Sequence, residues 1–338
     1  MKFKQLSMTI AALCVAGSAM AAPAAAPIAQ PKLGMVYDAG GKFDKSFNQS
    51  AFEGLQRFSK ETGVKVFEVQ ANSDTQAEQV MRGLARKKVD MIAAIGFSQT
   101  QAVQKVAREF PNVRFVLIDS VAQGANIESV MFKEQEGSYL VGVAAAMASK
   151  SKKLGFVGGM DIPLIRAFAC GYSQGAKAQA PKAEIVQNMV GTTAAAWNDP
   201  AKGGELARAQ FARGVDVVFA VAGGSGMGTL QAAKEQGKLA VGVDSNQNYL
   251  HPGTMLTSMV KRVDVAVYDS FMGVKNGTWK SGVHYKGLKE GGVDWVLDKD
   301  NRKVVTPEIE KRVNAVRTNI INGKIKVIDY RAGSSCPV

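Results

Sequence analysis

The chain has 338 residues, 46% of them hydrophobic and 21% charged, with 42 Lys and Arg against 29 Asp and Glu and a formal net charge of +13. Three cysteines and two histidines, His251 and His284, at no ligand-like spacing, argue against a zinc site or a histidine-based catalytic triad. The length exceeds one compact core and calls for two domains.

The first element is a leader. Lys2 and Lys4 precede an apolar stretch over 6–19, and Ala19 and Ala21 frame a cleavage site, which reads as a signal peptide over 1–21. That stretch is too short and wrongly flanked to span a membrane. Cys14 raises a lipoprotein reading, but Leu13 stands before it where a small residue is needed, so cleavage near Ala21 or Ala22 is expected. The Ala/Pro-rich run 22–31 is a flexible lead-in.

The expected product is exported and soluble, in a bacterial periplasm. Loss of Lys2 and Lys4 lowers the charge from +13 to +11. Export argues against a nucleic-acid partner, and the remaining basic residues are spread over candidate helices. The charge therefore reads as a solvated surface able to meet acidic partners or an anionic membrane. Cleavage leaves Cys170 and Cys336, which an oxidising compartment allows to pair but does not oblige to.

Beyond the leader, strand-like apolar runs fall at 33–37, 64–69, 91–95, 113–118, 154–157, 215–221 and 239–243. Helical patterns lie between them, as at 46–61, 75–87, 100–110 and 204–212. This alternation predicts an α/β protein with parallel sheets wound as βαβ units.

The pattern occurs twice. "VDMIAAIGFSQTQAVQKVAREFPNVRFVLIDS" from Val89 matches "VDVVFAVAGGSGMGTLQAAKEQGKLAVGVDS" from Val215, each closing a second strand on Asp-Ser. Earlier in each half, the segment from Gly34 parallels the one from Gly155, setting Phe47 opposite Phe168 and Gly54 opposite Gly175. Two related lobes in tandem are expected, with a ligand outside the carboxyl ends of their strands and a hinge that lets the cleft close. Candidate positions are Asp38, 96–98, Asp119, 159–162, 223–226 and Asp244.

The stretch "DAGGKFDKSFNQ" after the first strand lacks G-x-x-x-x-G-K-[ST] and G-x-G-x-x-G, and "GGSGMG" at 223–228 has the wrong spacing for a dinucleotide loop. Asp38, Asp119 and Asp244 each follow an apolar strand, where an Asp caps helices or forms turns but also accepts paired hydrogen bonds from hydroxyl or amino groups. Phe47 and Trp197 sit in polar loops, "KSFNQ" and "AAAWNDP". Phe47 reads equally as a core plug, whereas Trp197 is harder to place in a core. One aromatic from each lobe would sandwich a planar ring. Lys261 reads either as a hydroxyl donor in the cleft or as a solvated helix start.

"DAGGKFDKSFNQ", "YLVGVAAAMASKSKKLGFVGGMDIP", "WNDPAKG", "GGSGMG" and "VGVDSNQ" together resemble the basic membrane protein family of substrate-binding proteins, which includes purine nucleoside receptors of ATP-binding-cassette (ABC) importers. The resemblance spans 32 to about 328. It implies a type I periplasmic-binding fold: two Rossmann-like lobes, a hinge and three crossovers. The first lobe would take 32–131 and 257–283, the second 132–256 and 284–330, with a tail over 331–338.

The resemblance further implies no catalytic residue, metal or cofactor. It implies a nucleoside, first of all a purine nucleoside, as ligand, an ABC permease as partner, peripheral contact with the membrane complex and a monomeric receptor; the alternatives are a same-fold receptor for a free nucleobase, sugar or other small metabolite, and an exported nucleoside hydrolase. By the same resemblance Phe47 stacks on the base, and Asn48 with Asp119 reads its edge. Trp197, where nucleoside receptors carry Phe, stacks from the second lobe. Asp38, Gly224, Asp244 and Lys261 hold the ribose. Phe168 joins this set through its place opposite Phe47 in the repeat. Lys42, Asp44 and Lys45 are expected to be loop and helix-start residues.

Overall fold

A computed structural model describes residues 26–333 and 335–337, so the expected leader and its cleavage site lie outside the described residues. β1 (Leu33–Tyr37), β2 (Val66–Gln70), β3 (Met91–Ile95), β4 (Arg114–Ile118) and β5 (Ile127–Phe132) form most of one sheet. β6 (Lys153–Met160), β7 (Glu184–Gly191), β8 (Val217–Val221), β9 (Leu239–Asp244) and β10 (Met255–Lys261) form most of a second. β11 (Gly282–Lys286) and β12 (Val293–Trp295) complete them.

Among the described residues each sheet has six strands, in the orders β11-β5-β4-β3-β1-β2 and β12-β10-β9-β8-β6-β7. The two orders superpose strand for strand, which is the tandem repeat seen in the sequence. Pairing is parallel except at β12, which runs antiparallel to β10. β1 and β3 are buried throughout because helices cover both faces of a parallel sheet, which is why they read as unbroken apolar runs.

The first sheet carries α1 (Phe47–Thr62), α2 (Asp74–Arg86) and α3 (Thr100–Glu109). The second carries α4 (Glu134–Ala148), α5 (Pro163–Gln179), α6 (Pro200–Ala212) and α7 (Gly226–Glu235). α8 (Val263–Asn276) and α9 (Pro307–Ile321) follow. In α3 the buried residues Ala102, Val103, Val106 and Ala107 make one helical stripe. α6 and α9 start as their sequences dictate. Asp199 and Thr306 accept the backbone N–H three residues on, with Pro200 and Pro307 at the first helical position.

The chain crosses between lobes three times: from β5 into α4, from β10 into α8, and from β11 to β12. Each of the first two crossings sends a helix onto the other lobe, α4 onto α5 and α8 onto α1. Gly54 and Gly175 make those contacts close. A Cβ at Gly54 would sit 2.2 Å from the carbonyl oxygen of Asp264, and one at Gly175 would sit 2.0 Å from that of Tyr139. The repeat aligned these two glycines, and helix packing explains both.

Two boundary segments differ from expectation. Residues 257–261, assigned above to the first lobe, complete β10 of the second sheet, because Thr257 to Val260 pair with β9. Residues 284–286, assigned to the second lobe, complete β11 beside β5 in the first. Cys170 and Cys336, left open by the sequence, are disulfide-bonded. Among the described residues no helix is long and apolar enough to cross a membrane.

Candidate ligand-binding site

A cavity of about 530 Å³, its mouth included, lies between the lobes at the carboxyl ends of the strands. Its wall holds eight of the nine expected residues: Asp38, Phe47, Asn48, Asp119, Phe168, Trp197, Asp244 and Lys261. Gly224 is not among the lining residues. The strand β8 ends in a tight turn, Gly223–Ser225, in which Gly223 faces the cavity with φ +54°.

The first lobe supplies Asp38 from the end of β1. Its Oδ1 accepts from Asn48 Nδ2 at 2.8 Å and from the Gly40 N–H at 3.0 Å. Gly96 leaves room for it, since a Cβ there would stand 2.6 Å from Asp38 Oδ2. Burial raises the pKa of Asp38, with the two donors opposing. Asn48 keeps its own Oδ1 without a hydrogen-bond partner among the described residues, although it is buried. A buried acceptor left bare is expensive unless a ligand donor meets it.

Asp44, expected among the loop and helix-start residues, does serve the helix start, but it also lines the cavity and is only 7% exposed. Its carboxylate accepts the backbone N–H groups of Ser46, Asn48 and Gln49 at 2.8, 3.0 and 3.1 Å, so it caps α1 from two residues before Ser46. Burial pushes its pKa up to about 7, against those three donors and with Asp244 adding to the rise.

Asp119 and Asp244 occupy equivalent places after β4 and at the end of β9, and both adopt left-handed backbone, φ 71° and 63°. Non-glycine residues take that conformation at a cost of roughly 1–3 kcal/mol, and such strain gathers at binding sites. Asp244 accepts from Ser46 Oγ of the other lobe at 2.6 Å, and Ser245 Oγ donates to the Ser46 carbonyl at 2.8 Å. Gln247 Nε2 donates to the Lys45 carbonyl at 2.9 Å. These bonds hold the lobes together beside the cavity.

Lys261 is the last residue of β10 and is buried, so the helix-start alternative is removed. Its Nζ lies 2.5 Å from Asp119 Oδ2 and 3.4 Å from Glu134 Oε1, with the Phe47 ring centroid at 5.0 Å and that of Phe168 at 5.4 Å. Burial works against the ammonium, but the surrounding Asp119, Glu134 and Asp244 carboxylates outweigh it and raise its pKa. Asp119 Oδ1 has no hydrogen-bond partner among the described residues.

The aromatic walls come from both lobes. Phe47 opens α1, Phe168 lies on α5, and Trp197 ends a short turn, Ala194–Trp197, before α6. Trp197 faces Phe97 of the first lobe edge-on, with centroids 6.3 Å apart. The indole rests on the backbone of Gly159, where a Cβ would meet its Cζ3 at 2.2 Å. Phe97, Leu164, Ile165 and Val221 add apolar lining that the sequence did not single out by name. Gly96 and Phe97 fall inside the strand-end segment 96–98, whereas nothing local marks Leu164 and Ile165, which reach the cavity from the first turn of α5. No cluster of three His, Cys, Asp or Glu residues fit to hold a metal occurs among the described residues.

Comparison with known proteins agrees with this architecture. The family model described as "ABC transporter substrate-binding protein PnrA-like" matches residues 31–330. The "ABC transporter nucleoside-binding protein BmpA" of Lactococcus lactis is 37% identical, the alignment covering 88% of each chain. An "uncharacterized lipoprotein" of Pyrococcus abyssi is 35% identical over 87% of this chain and 75% of its own. The crystal structure of an ABC transporter solute-binding protein from Aeropyrum pernix superposes with a TM-score of 0.82 at 29% identity, covering 88% of this chain and 94% of that one. The two-lobed type I fold is thus shared with solute-binding proteins, and the partners this implies are a small molecule and an ABC permease. The chain belongs to the PnrA-like (Bmp) family of ABC transporter substrate-binding proteins.

Proposed function

We propose that this receptor captures a nucleoside, first of all a purine nucleoside, closes its lobes on it and delivers it to the permease. The observation that carries the reading is the pairing of Phe47 and Trp197, from opposite lobes, in one cavity whose polar groups are mainly acceptors. Aromatic faces suit a flat heterocycle, and bare acceptors suit hydroxyl and amino donors. The name of the L. lactis relative supports the same ligand class.

In this reading Phe47 and Trp197 stack on the base, with Phe168 closing the apolar wall. Asn48 and Asp119 read the base edge through their free oxygens. Asp38, Asp244 and Lys261 hold the ribose hydroxyls, and Gly223 takes the place first given to Gly224. Trp197 in place of Phe keeps the stacking face and widens it. In this reading the protein binds without turnover, which the names of its solute-binding relatives support. It works as a monomer in the periplasm after removal of the leader near Ala21 or Ala22.

Isothermal titration with adenosine, guanosine and inosine tests the reading. Saturable binding of at least one is expected, and product analysis of the same mixtures should show intact nucleoside. Absence of binding by all three would remove the purine assignment; release of free base would replace the receptor by a hydrolase.

A further inference from the structure

Lys261 is buried among more carboxylates than it can serve, and two residues off the cavity wall settle how it divides. Glu134, the first residue of α4, is fully buried and lies 3.4 Å from Lys261 Nζ through Oε1. Its Oε2 forms an ion pair, 2.9 Å from Arg331 Nη2 but without hydrogen-bond alignment, and Arg331 reaches in from the tail after α9. The same Nη2 donates to the carbonyl of Phe132, the last residue of β5, at 2.9 Å, and pairs with Asp329 at 2.9 Å. Arg331 thus grips both sides of the first crossing between lobes.

The tail that carries Arg331 is itself fastened to α5. Gln174 donates from Nε2 to the Ile328 carbonyl at 2.9 Å and accepts the Ile328 N–H at 3.0 Å. One turn earlier on that helix, Cys170 is bonded to Cys336. α5 also presents Ile165 and Phe168 to the cavity. Neither Glu134 nor Arg331 lines the cavity, so neither has a direct contact to offer a ligand.

We propose that Arg331 and Glu134 are positioning residues for the ligand site: Arg331 balances the charge of Glu134 so that the Lys261 ammonium stays on Asp119 at the cavity wall. Without the guanidinium, a fully buried carboxylate has Lys261 as its remaining ion-pair partner and draws the ammonium away from Asp119. Removing one partner of a buried charge pair leaves an uncompensated charge, whereas removing both partners restores balance. The proposal rests on the reading of the cavity as a nucleoside site.

The test compares R331Q, R331K and E134Q/R331Q with the parent protein by titration with inosine, adenosine and guanosine. R331Q should weaken binding about tenfold, the scale of one charge-assisted contact. R331K should recover most of that loss. E134Q/R331Q should return to within about threefold of the parent, because the carboxylate that diverts Lys261 is gone. A role confined to folding would make the double variant as weak as R331Q or weaker, and that result overturns the proposal, as does R331Q binding like the parent. If the parent binds none of the three nucleosides, the functional reading fails by itself. The positioning role is then decided by the ammonium ¹⁵N resonance of Lys261 in the ligand-free protein. It should shift in R331Q and return in E134Q/R331Q, and an unmoved resonance overturns the proposal.

Discussion

Gly159→Ala is the sharpest probe of the second-lobe stacking platform. Gly159 lies in β6 and is absent from the glycines with positive φ, so its backbone accepts an alanine. What the methyl meets is the Trp197 indole, with Cζ3 at 2.2 Å, Cε3 at 2.5 Å and Cη2 at 2.8 Å. Ordinary contact begins near 3.4 Å, so the ring must recede by at least 1.2 Å. The backbone of β6 blocks one direction, and the ring moves into the cavity that the base is to occupy. Base–aromatic stacking contributes about 1–3 kcal/mol, so a disrupted platform weakens binding by about 5- to 150-fold. Titration with inosine reads the loss. Because the clash is with one side chain, G159A/W197A should bind no worse than W197A alone. An unchanged affinity for G159A, or additive losses in the double variant, would refute the reasoning.

Other perturbations follow from the same geometry. Ser46→Ala leaves the buried Asp244 carboxylate without its donor from the opposite lobe; nucleoside affinity should fall by about 1–3 kcal/mol, and equal affinity in a titration would remove Ser46 from the closure. Asp44 has a folded pKa raised to about 7, so its protonated form is favoured in the fold and its contribution to stability is lost as pH rises through about 7. The melting temperature should therefore be higher at pH 5 than at pH 8, with a smaller difference in D44N; an identical slope in D44N would assign the effect to Asp244 and its neighbours. Gly54→Ala drives a methyl into the Asp264 carbonyl at 2.2 Å, where no flexible side chain can yield. Chemical denaturation should report a loss of about 1–3 kcal/mol, and unchanged stability would contradict the close packing of α1 on α8.

Much of the site was legible because the strand ends are marked in the chain. Asp38, Asp119 and Asp244 each close an apolar run, and a parallel sheet delivers such residues to one edge. The repeat made that inference firm: Asp119 and Asp244 share strand-end position and left-handed backbone, and Gly54 and Gly175 each meet a helix carbonyl. Gly223, with its positive φ, lines the cavity where Gly224 was expected, and nothing in the sequence says which of three successive small residues turns inward. Asp44 was read only as a loop or helix-start residue because nothing local to the sequence shows that the residue capping the first turn of α1 also faces the cavity. Glu134 and Arg331 could not be found from sequence, as their contacts join segments more than a hundred residues apart. β11 was missed for a different reason: largely exposed at a sheet edge, it carries no apolar run to announce it.

A receptor of the proposed kind holds one ring between its two lobes, and a crystal structure of the protein with bound inosine shows whether this one does. The purine should lie between Phe47 and Trp197, its edge at Asn48 and Asp119, and the ribose at Asp38, Asp244 and Lys261. A nucleoside bound with its base away from both aromatics would contradict it.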